Sequence, residues 1–568
     1  MQEDVVFDAL VVGSGISGGW AAKELTERGF KTLLIERGRM VRHVKDYPTA
    51  NMDPWEFDHR LRKTRTDEQS NPLISKHYAY NEATRHFYIQ DSDQEYIQEK
   101  PFDWIRGFQL GGKSLLWARQ TQRWSDFEFN APKTYQYASD WPIRYDDLAP
   151  WYRHVEQFVG ISGNRDGIEN MPDSEVVGAF EMNQVEKHIA DAIAEQYSDR
   201  KAIIGRSANL AGLKAPQKQQ GRAVCMARSM CERGCPFGAY FSSNSSTIPW
   251  AEKTGNLSIL TDTIVESVHY DEATGKATGV QCIDAATGER KTYRARVIFL
   301  NAATLNTNLI LLNSRSERFP DGLGNDHGLL GRFIAFHNYR GRLTADMPGF
   351  MDSYYYGRRP TQVFIPAFKN IHQPAKDFKG SYLIAFSAYR EGWGRAGQGE
   401  GLGAAFKDRL LEPGSWKVSM MMQGEVIPIY DNHVRLAENK KDKFGLPQLI
   451  TSIGYTENDV AMMEDFLREG RAMLEKSGCQ DIQAFDQHEA FGRQPGLEVH
   501  DVGGVRMGKD PKDSMLNAFN QMHACANVFV TDGACMNSIG NQNPSLTFMA
   551  LTARAVDYAA SQLKEGRL

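Results

Sequence analysis

Cysteine is scarce in this chain, with seven in 568 residues. That odd, thin supply excludes a disulfide-stapled scaffold and points to synthesis in a reducing cytosol. Long apolar runs are also missing. None approaches the roughly 18 residues of a bilayer span, so no direct membrane span is expected. The opening stretch MQEDVVFDALVVGSG has no basic residue ahead of its apolar run, which argues against a signal peptide of its own. Positive charge is not in excess: 66 Lys and Arg stand against 71 Asp and Glu, a formal net charge of −5. A nucleic-acid-binding surface is disfavoured on that balance. No 20–50-residue repeat and no low-complexity tract is present. What the chain does have is length and 41% hydrophobic residues, enough for a large core in two or more units.

The N-terminal FDALVVGSGISGGWAAKELTERGFKTLLIERG reads as strand, tight turn, helix and strand. Gly13, Gly15 and Gly18 form G-x-G-x-x-G, which lets backbone approach a pyrophosphate at a helix N-terminus. Glu36 closes the second strand, where a carboxylate can take ribose hydroxyls. A merely structural turn would not account for an acid there. The pattern leaves NAD and FAD both open.

Three of the seven cysteines, Cys225, Cys231 and Cys235, fall within CMARSMCERGCPFG as C-x5-C-x3-C-P. Zinc normally takes four ligands, and no fourth Cys or His is nearby. Bare thiols need no clustering. An iron–sulfur cluster fits the spacing better, and the terminal C-x3-C-P is similar to ferredoxin-type sequences. Arg222, Arg228 and Arg233 flank the ligands and are expected to stabilise thiolate.

Further segments decide the dinucleotide. RGFQLGGKSLLW (Arg106–Trp117), HDVGGVRMG (His500–Gly508) and VFVTDGACMNSIGNQNPSLTFMALTARAVDYAA (Val528–Ala560), with the N-terminal turn, resemble the glucose–methanol–choline (GMC) family of flavin oxidoreductases. DWPIRYDDLAPWYRHVEQFVGISG and NAATLNTNLILLNS also look like family segments, so the resemblance runs along the whole chain. It implies FAD. It also implies a cofactor-contacting set of Gly13, Ser14, Gly15, Ser17, Gly18, Glu36, Arg37, Arg106, Gly111, Gly112, Ser114, Val265, Ala302, Asp532, Gly533, Asn543, Pro544 and Thr547. Some family members attach FAD through a histidine just before the tryptophan. That position is Leu116 here, which implies non-covalent FAD. Oxidising an alcohol by hydride transfer needs the hydroxyl proton removed, a task suited to neutral imidazole. The resemblance assigns this to His500, with Asn543 as partner. In sugar dehydrogenases of the family the three-cysteine pattern holds a [3Fe–4S] cluster, with Cys225, Cys231 and Cys235 as the matching ligands.

The fold implied is α/β: a Rossmann-like doubly wound FAD domain from residues 1–45, 200–335 and 490–568, with a lid or covering region at 46–199 that includes the flavin-contacting stretch 106–123. An antiparallel substrate sheet is expected from 336–489. Its segment from Trp416 to Leu449 reads as strands broken by a charged turn. Gln423 and Glu425 point either to the cavity or into strand packing. The wording around the cysteines looks most like glucoside 3-dehydrogenases, which oxidise C3 of a glycoside. Glucose, fructose, sorbitol or gluconate dehydrogenases, an oxygen-using pyranose or alcohol oxidase, a lyase and a redox-sensing module are the alternatives. The expected partners are a sugar or glycoside, a small accessory subunit and a cytochrome-type acceptor. Location is periplasmic through such a subunit, or cytoplasmic.

Overall fold

The computed structural model describes residues 5–353, 359–392, 402–411 and 414–568. Two seven-stranded sheets organise it. In the first, Val6–Val12 lies between Thr32–Ile35 and Arg290–Leu300, parallel to both. Leu257–Leu260 extends the parallel part beyond Thr32–Ile35, and Val528–Val530 pairs with Arg290–Leu300. Register puts the ends of these strands at one level: Val12 opposite Ile35 and Leu300, Ile35 opposite Leu260, and Leu300 opposite Val530. The residues that follow, Gly13, Glu36, Asn301 and the Thr531–Asp532 pair, therefore meet along one carboxyl edge. That edge is where open α/β sheets bind ligands. The sheet is mixed rather than wholly parallel, because Lys276–Asp284 and Thr263–Asp271 complete it in antiparallel fashion.

The helix Ile16–Glu27 is buried on nearly every side, from Ser17 to Thr26. It packs against the sheet, the C-terminal helix Ser545–Lys564 and the short helix Thr247–Glu252. Such a helix cannot show an amphipathic stripe, and its small residues allow the close packing. A Cβ on Gly19 would lie 2.7 Å from both Ser243 Oγ and Thr247 Oγ1.

The second sheet is antiparallel. Its order is Gln480–Asp486, Gly341–Met347, Trp416–Glu425, Tyr382–Arg390, Val363–Ile365 and Ile203–Ile204, with His337–Asn338 also pairing to Trp416–Glu425. The helices Gln184–Gln196 and Glu457–Lys476 supply Ile189, Ile193, Met462 and Phe466 to the apolar layer against it. One expectation needs correction. His433–Lys441 and Pro447–Ser452 do not continue this sheet but form a separate one with Ile97–Gln98. The chain leaves at Val426 and is tied elsewhere: the Ile334 amide donates to the Asn432 carbonyl at 2.9 Å, and the Val434 amide to the Gly331 carbonyl at 2.8 Å. Among the described residues, no helix is long and apolar enough to cross a membrane.

Candidate active site

A cavity of about 980 Å³ runs from the carboxyl edge of the first sheet to the face of the second. Its cofactor half is built by the glycine turn. Gly13 has φ +88, and a Cβ there would lie 2.3 Å from the Asn301 carbonyl oxygen. A Cβ on Gly18 would lie 1.8 Å from the Gly13 carbonyl oxygen. Gly15 is different: its Cβ would meet nothing within 4 Å, and it lines the cavity. The helix that starts at Ile16 has no side-chain cap and no acid in its first turn. Its N–H groups thus face the cavity unpartnered by side chains, as an anion site requires. Asn301 Nδ2, buried and without a partner, adds a donor at the same edge. These features fit a dinucleotide pyrophosphate.

The other expected cofactor residues divide into several groups. Ser14, Ser17, Arg37, Gly112, Ser114, Val265, Ala302, Gly533 and Asn543 line the cavity. Arg106 lines it too, but its two terminal nitrogens go to Asp91 at 3.2 Å and the Gln94 carbonyl, between Tyr96 and Trp104, and its Nε is buried without a partner. Glu36 lines the cavity with both carboxylate oxygens engaged: Ser14 amide and hydroxyl donate to Oε2, and the Gly38 amide to Oε1 at 2.9 Å. It braces the turn as well as facing the ribose position. Asp532 likewise accepts from Thr307 Oγ1 at 2.6 Å and the Ala534 amide at 3.0 Å, and burial pushes its carboxyl up to about 6. Gly18, Gly111, Pro544 and Thr547 are not among the residues that line the cavity. Gly111 (φ +87) packs against Asn244, Pro544 precedes the C-terminal helix, and Thr547 Oγ1 bonds Tyr152 Oη at 2.8 Å. They hold the walls in place.

The catalytic half centres on His500. Two glycines after it allow the chain to close in. A Cβ on Gly503 (φ +95) would lie 2.4 Å from the Phe333 carbonyl oxygen, and one on Gly504 (φ +93) 2.1 Å from Asn308 Oδ1. The Asn543 loop is held by Glu128, which accepts from Gln542 Nε2 at 2.8 Å, and by Gln423, whose Nε2 donates to the Asn541 carbonyl at 2.8 Å. His500 Nε2 and Asn543 Nδ2 meet at 3.4 Å.

His337, from the antiparallel strand pair, settles the proton positions. Its Nε2 is 3.1 Å from the Gly540 carbonyl oxygen, which can only accept, so Nε2 carries the proton. Burial and the neighbouring imidazole hold His337 well below the usual histidine range, so it is neutral and its Nδ1 is a lone pair. His500 Nδ1, 2.9 Å away, must therefore donate. That leaves His500 Nε2 as a lone pair beside the Asn543 amide. Burial, with Lys113 nearby, lowers His500 to about 3. It is neutral throughout the physiological range and ready to accept a proton.

Tyr339 stands against His500 with ring centroids 6.1 Å apart, and its hydroxyl donates to Gln423 Oε1. Gln423 lines the cavity, whereas Glu425, two residues along the same strand, does not. Glu425 is buried, accepting from Tyr137 Oη at 2.9 Å and the Gly540 amide at 3.3 Å. Burial, with Glu128 adding, pushes its carboxyl up from 4.5 to about 8. An unfolded chain releases this proton above its ordinary value, while the folded chain keeps it until about 8. Stability is therefore lost as pH rises from 4.5 towards 8. Glu425→Gln, which keeps the acceptor, should raise the urea unfolding free energy at pH 8 by about 2–4 kcal/mol and change little at pH 4. Equal gains at both pH values would show that Glu425 carries no such strain.

His337, Tyr339, Lys113, Arg493 and Glu498 were not singled out by sequence reasoning. Lys113 sits inside the RGFQLGGKSLLW segment without being picked out there, the sequence around the others carries no motif, and only strand pairing brings His337 and Tyr339 to His500.

Cys225, Cys231 and Cys235 are partly exposed free thiols. Cys231 lines the same cavity as His500. Of the three flanking arginines, Arg222 interacts electrostatically with Cys235. Arg222 donates to the Gly238 and Val159 carbonyls, Arg228 to the Ala50 carbonyl, and Arg233 to the Met52 carbonyl. The guanidinium that acts on Cys231 is that of Arg119, and burial outweighs it, so the Cys225 and Cys231 thiols are pushed up. Among the described residues, no group of three or more His, Cys, Asp or Glu is placed to hold a metal ion. The three thiols lie close enough together for Cys225 and Cys235 to act as like charges on Cys231.

Comparison with known proteins agrees with this layout. The chain is 25% identical to a 2-methyl-1,2-propanediol dehydrogenase of Mycolicibacterium austroafricanum, over 98% of this chain and 96% of that protein. It is 23% identical to the fructose dehydrogenase large subunit of Gluconobacter japonicus over the full length of both, and 24% identical to paromamine 6'-oxidase of Streptomyces fradiae, over 99% and 93%. In fold it is similar to formate oxidase of Aspergillus oryzae (TM-score 0.61, 13% identity, all of both chains). Pyridoxine 4-oxidase from Mesorbium loti is similar too (TM-score 0.58, 17% identity, 97% and 98%). The models of the GMC oxidoreductase N- and C-terminal regions match residues 8–337 and 428–552. A glycine cradle at the carboxyl edge of one sheet, open to a neutral histidine beside an asparagine, thus belongs to a member of the GMC oxidoreductase family, FAD-dependent enzymes that oxidise CH–OH groups.

Proposed function

We propose that this enzyme is a dehydrogenase that oxidises a secondary hydroxyl of a sugar or glycoside to a ketone, with C3 of a glucoside as the preferred position. The observation that carries the chemistry is the lone pair on His500 Nε2, fixed by His337 and opening on the cavity beside Asn543. FAD, once bound, supplies the two-electron acceptor for the hydride. Gly13 to Ile16 and Asn301 would hold its pyrophosphate, and Leu116 implies that it is not covalently attached. His500 Nε2 takes the hydroxyl proton. As it becomes imidazolium, His500 Nδ1–H keeps its bond to His337, so the base does not turn when charged. Asn543 Nδ2–H holds the substrate oxygen as negative charge develops on it. A sugar is supported by the amide and phenol groups of Gln423, Gln362, Gln487 and Tyr339 along the cavity, which suit a rim of hydroxyls. The C3 glucoside preference rests on the resemblance around the cysteines.

The proposal routes no step through an iron–sulfur cluster. Iron and acid-labile sulfide near three per chain would restore the cluster reading. An accessory subunit and a cytochrome-type acceptor remain part of the proposal, as does work in the periplasm or the cytoplasm. The test is a dye-reduction screen of the FAD-loaded enzyme over methyl glucoside, sucrose, lactose, glucose, fructose and gluconate, with the oxidised carbon located by NMR. A 3-keto-glycoside is the expected product. Turnover of simple aliphatic alcohols alone would overturn the sugar reading.

A further inference from the structure

We propose that the substrate half of the cavity is built for a carboxylated sugar, and that Arg342 and Arg493 receive the carboxylate. The inference deepens the reading of a sugar-oxidising site and rests on it.

Arg342 lies on Gly341–Met347, in the floor of the cavity. Its Nη2 donates to Ser419 Oγ at 3.2 Å, and that is its one hydrogen bond among the described residues. Its Nε is buried without a partner, and no carboxylate among the described residues pairs with it. The neighbouring arginines of the cavity each have an acid or backbone carbonyls as partners, although Arg119 Nε and Nη1 and Arg106 Nε are also buried without one. Arg119 pairs with Glu232 at 3.1 Å, Arg359 with Glu186 at 2.5 Å, and Arg390 donates to backbone carbonyls. A guanidinium left half-buried without an anion is costly.

The second cation increases the surplus. Arg493 acts on Arg342 as a like charge, and its own Nε is also buried without a partner. Its Nη1 bonds Gln487 Oε1 at 2.9 Å, and its Nη2 lies 3.2 Å from Glu498 Oε1. Burial pushes Glu498 up to about 7, so the one nearby acid is only partly charged at neutral pH. Gln487 in turn donates to the Tyr339 carbonyl at 2.6 Å, which sets the pair on the wall that adjoins His500. The chemistry that fits is a ligand with a hydroxyl at His500 and an oxyanion further along the same molecule. Two guanidinium groups, each with an Nε that has no partner, favour a planar carboxylate, which can take N–H donors from both.

The test compares methyl glucuronide with methyl glucoside, which differ in the carboxylate, by calorimetric binding to the FAD-loaded enzyme. Charge-assisted hydrogen bonds of this kind predict roughly 10–100-fold tighter binding of the glucuronide, weakened by added salt. Arg342→Met should collapse that ratio to within about threefold, and Arg342→Lys, which keeps the charge but not the fork, should restore part of it. Equal affinities in the wild-type enzyme, no binding of either, or a ratio that survives Arg342→Met would overturn the proposal. Preferential binding of the glucuronide without turnover of any sugar would support this site and count against the oxidation reading, so the two fail separately.

Discussion

His500→Ala should slow substrate-dependent reduction of the bound flavin by about 10²–10⁴-fold while leaving FAD content near that of the wild type. The side chain is half-buried beside Asn543, and its loss removes the positioned lone pair at the hydroxyl. It does not touch the glycine turn that holds the nucleotide. The pH dependence sharpens the expectation. Burial lowers His500 to about 3, so the base stays unprotonated as pH falls. The wild-type rate of flavin reduction should hold from pH 8 down to about 4.5, with no loss near the ordinary histidine value of about 6.5. A loss of less than tenfold in the alanine variant would place the base elsewhere. An acid limb centred near 6.5 would mean that the imidazole is solvated during turnover.

Gly15→Val should yield a folded chain that fails to retain FAD. Gly15 has φ −63, which a branched residue tolerates, and its Cβ would meet no protein atom within 4 Å. The added side chain instead enters the space in front of the helix N-terminus, where the pyrophosphate belongs. An affinity loss of roughly 100-fold, equivalent to about 2.7 kcal/mol, is expected, with the melting temperature of the apoprotein nearly unchanged. Gly18→Ala provides the contrast. Its Cβ would overlap the Gly13 carbonyl, and the helix packs there on every side, so misfolding rather than a soluble apoprotein is the expected result. Quantifying flavin and melting temperature for both variants checks the pair. Full FAD occupancy in Gly15→Val would remove the pyrophosphate from this turn.

The cradle was legible because its chemistry is local. Three glycines, a helix start and Glu36 lie within one strand–turn–helix–strand unit, and their spacing carries the geometry. His500 and Asn543 were legible for a related reason, since each sits in a short segment whose flanking glycines or amides are needed to bring it close. His337 was not. It is one of fourteen histidines, its neighbours form no motif, and its role depends on the pairing of His337–Asn338 with Trp416–Glu425. Gln423 and Glu425 show the same limit. Strand alternation puts both on one side of the sheet, yet one reaches the cavity and the other ends on Tyr137 and Gly540. The arginines around the cysteines were legible in part. Arg222 interacts with Cys235, but Arg228 and Arg233 bond to backbone carbonyls, and Arg119, more than a hundred residues earlier, is the cation that acts on Cys231.

The central claim, that His500 and its neighbours make this cavity a site for oxidising a sugar hydroxyl, is tested most directly by anaerobic rapid mixing of the FAD-loaded enzyme with a methyl glycoside or its glucuronide. The account predicts that the visible flavin band bleaches, that one equivalent of a single ketone forms per flavin, and that His500→Ala bleaches at least a hundredfold more slowly. A folded, FAD-loaded enzyme that no sugar, glycoside or polyol can bleach, or one bleached as fast without His500 as with it, would contradict the account.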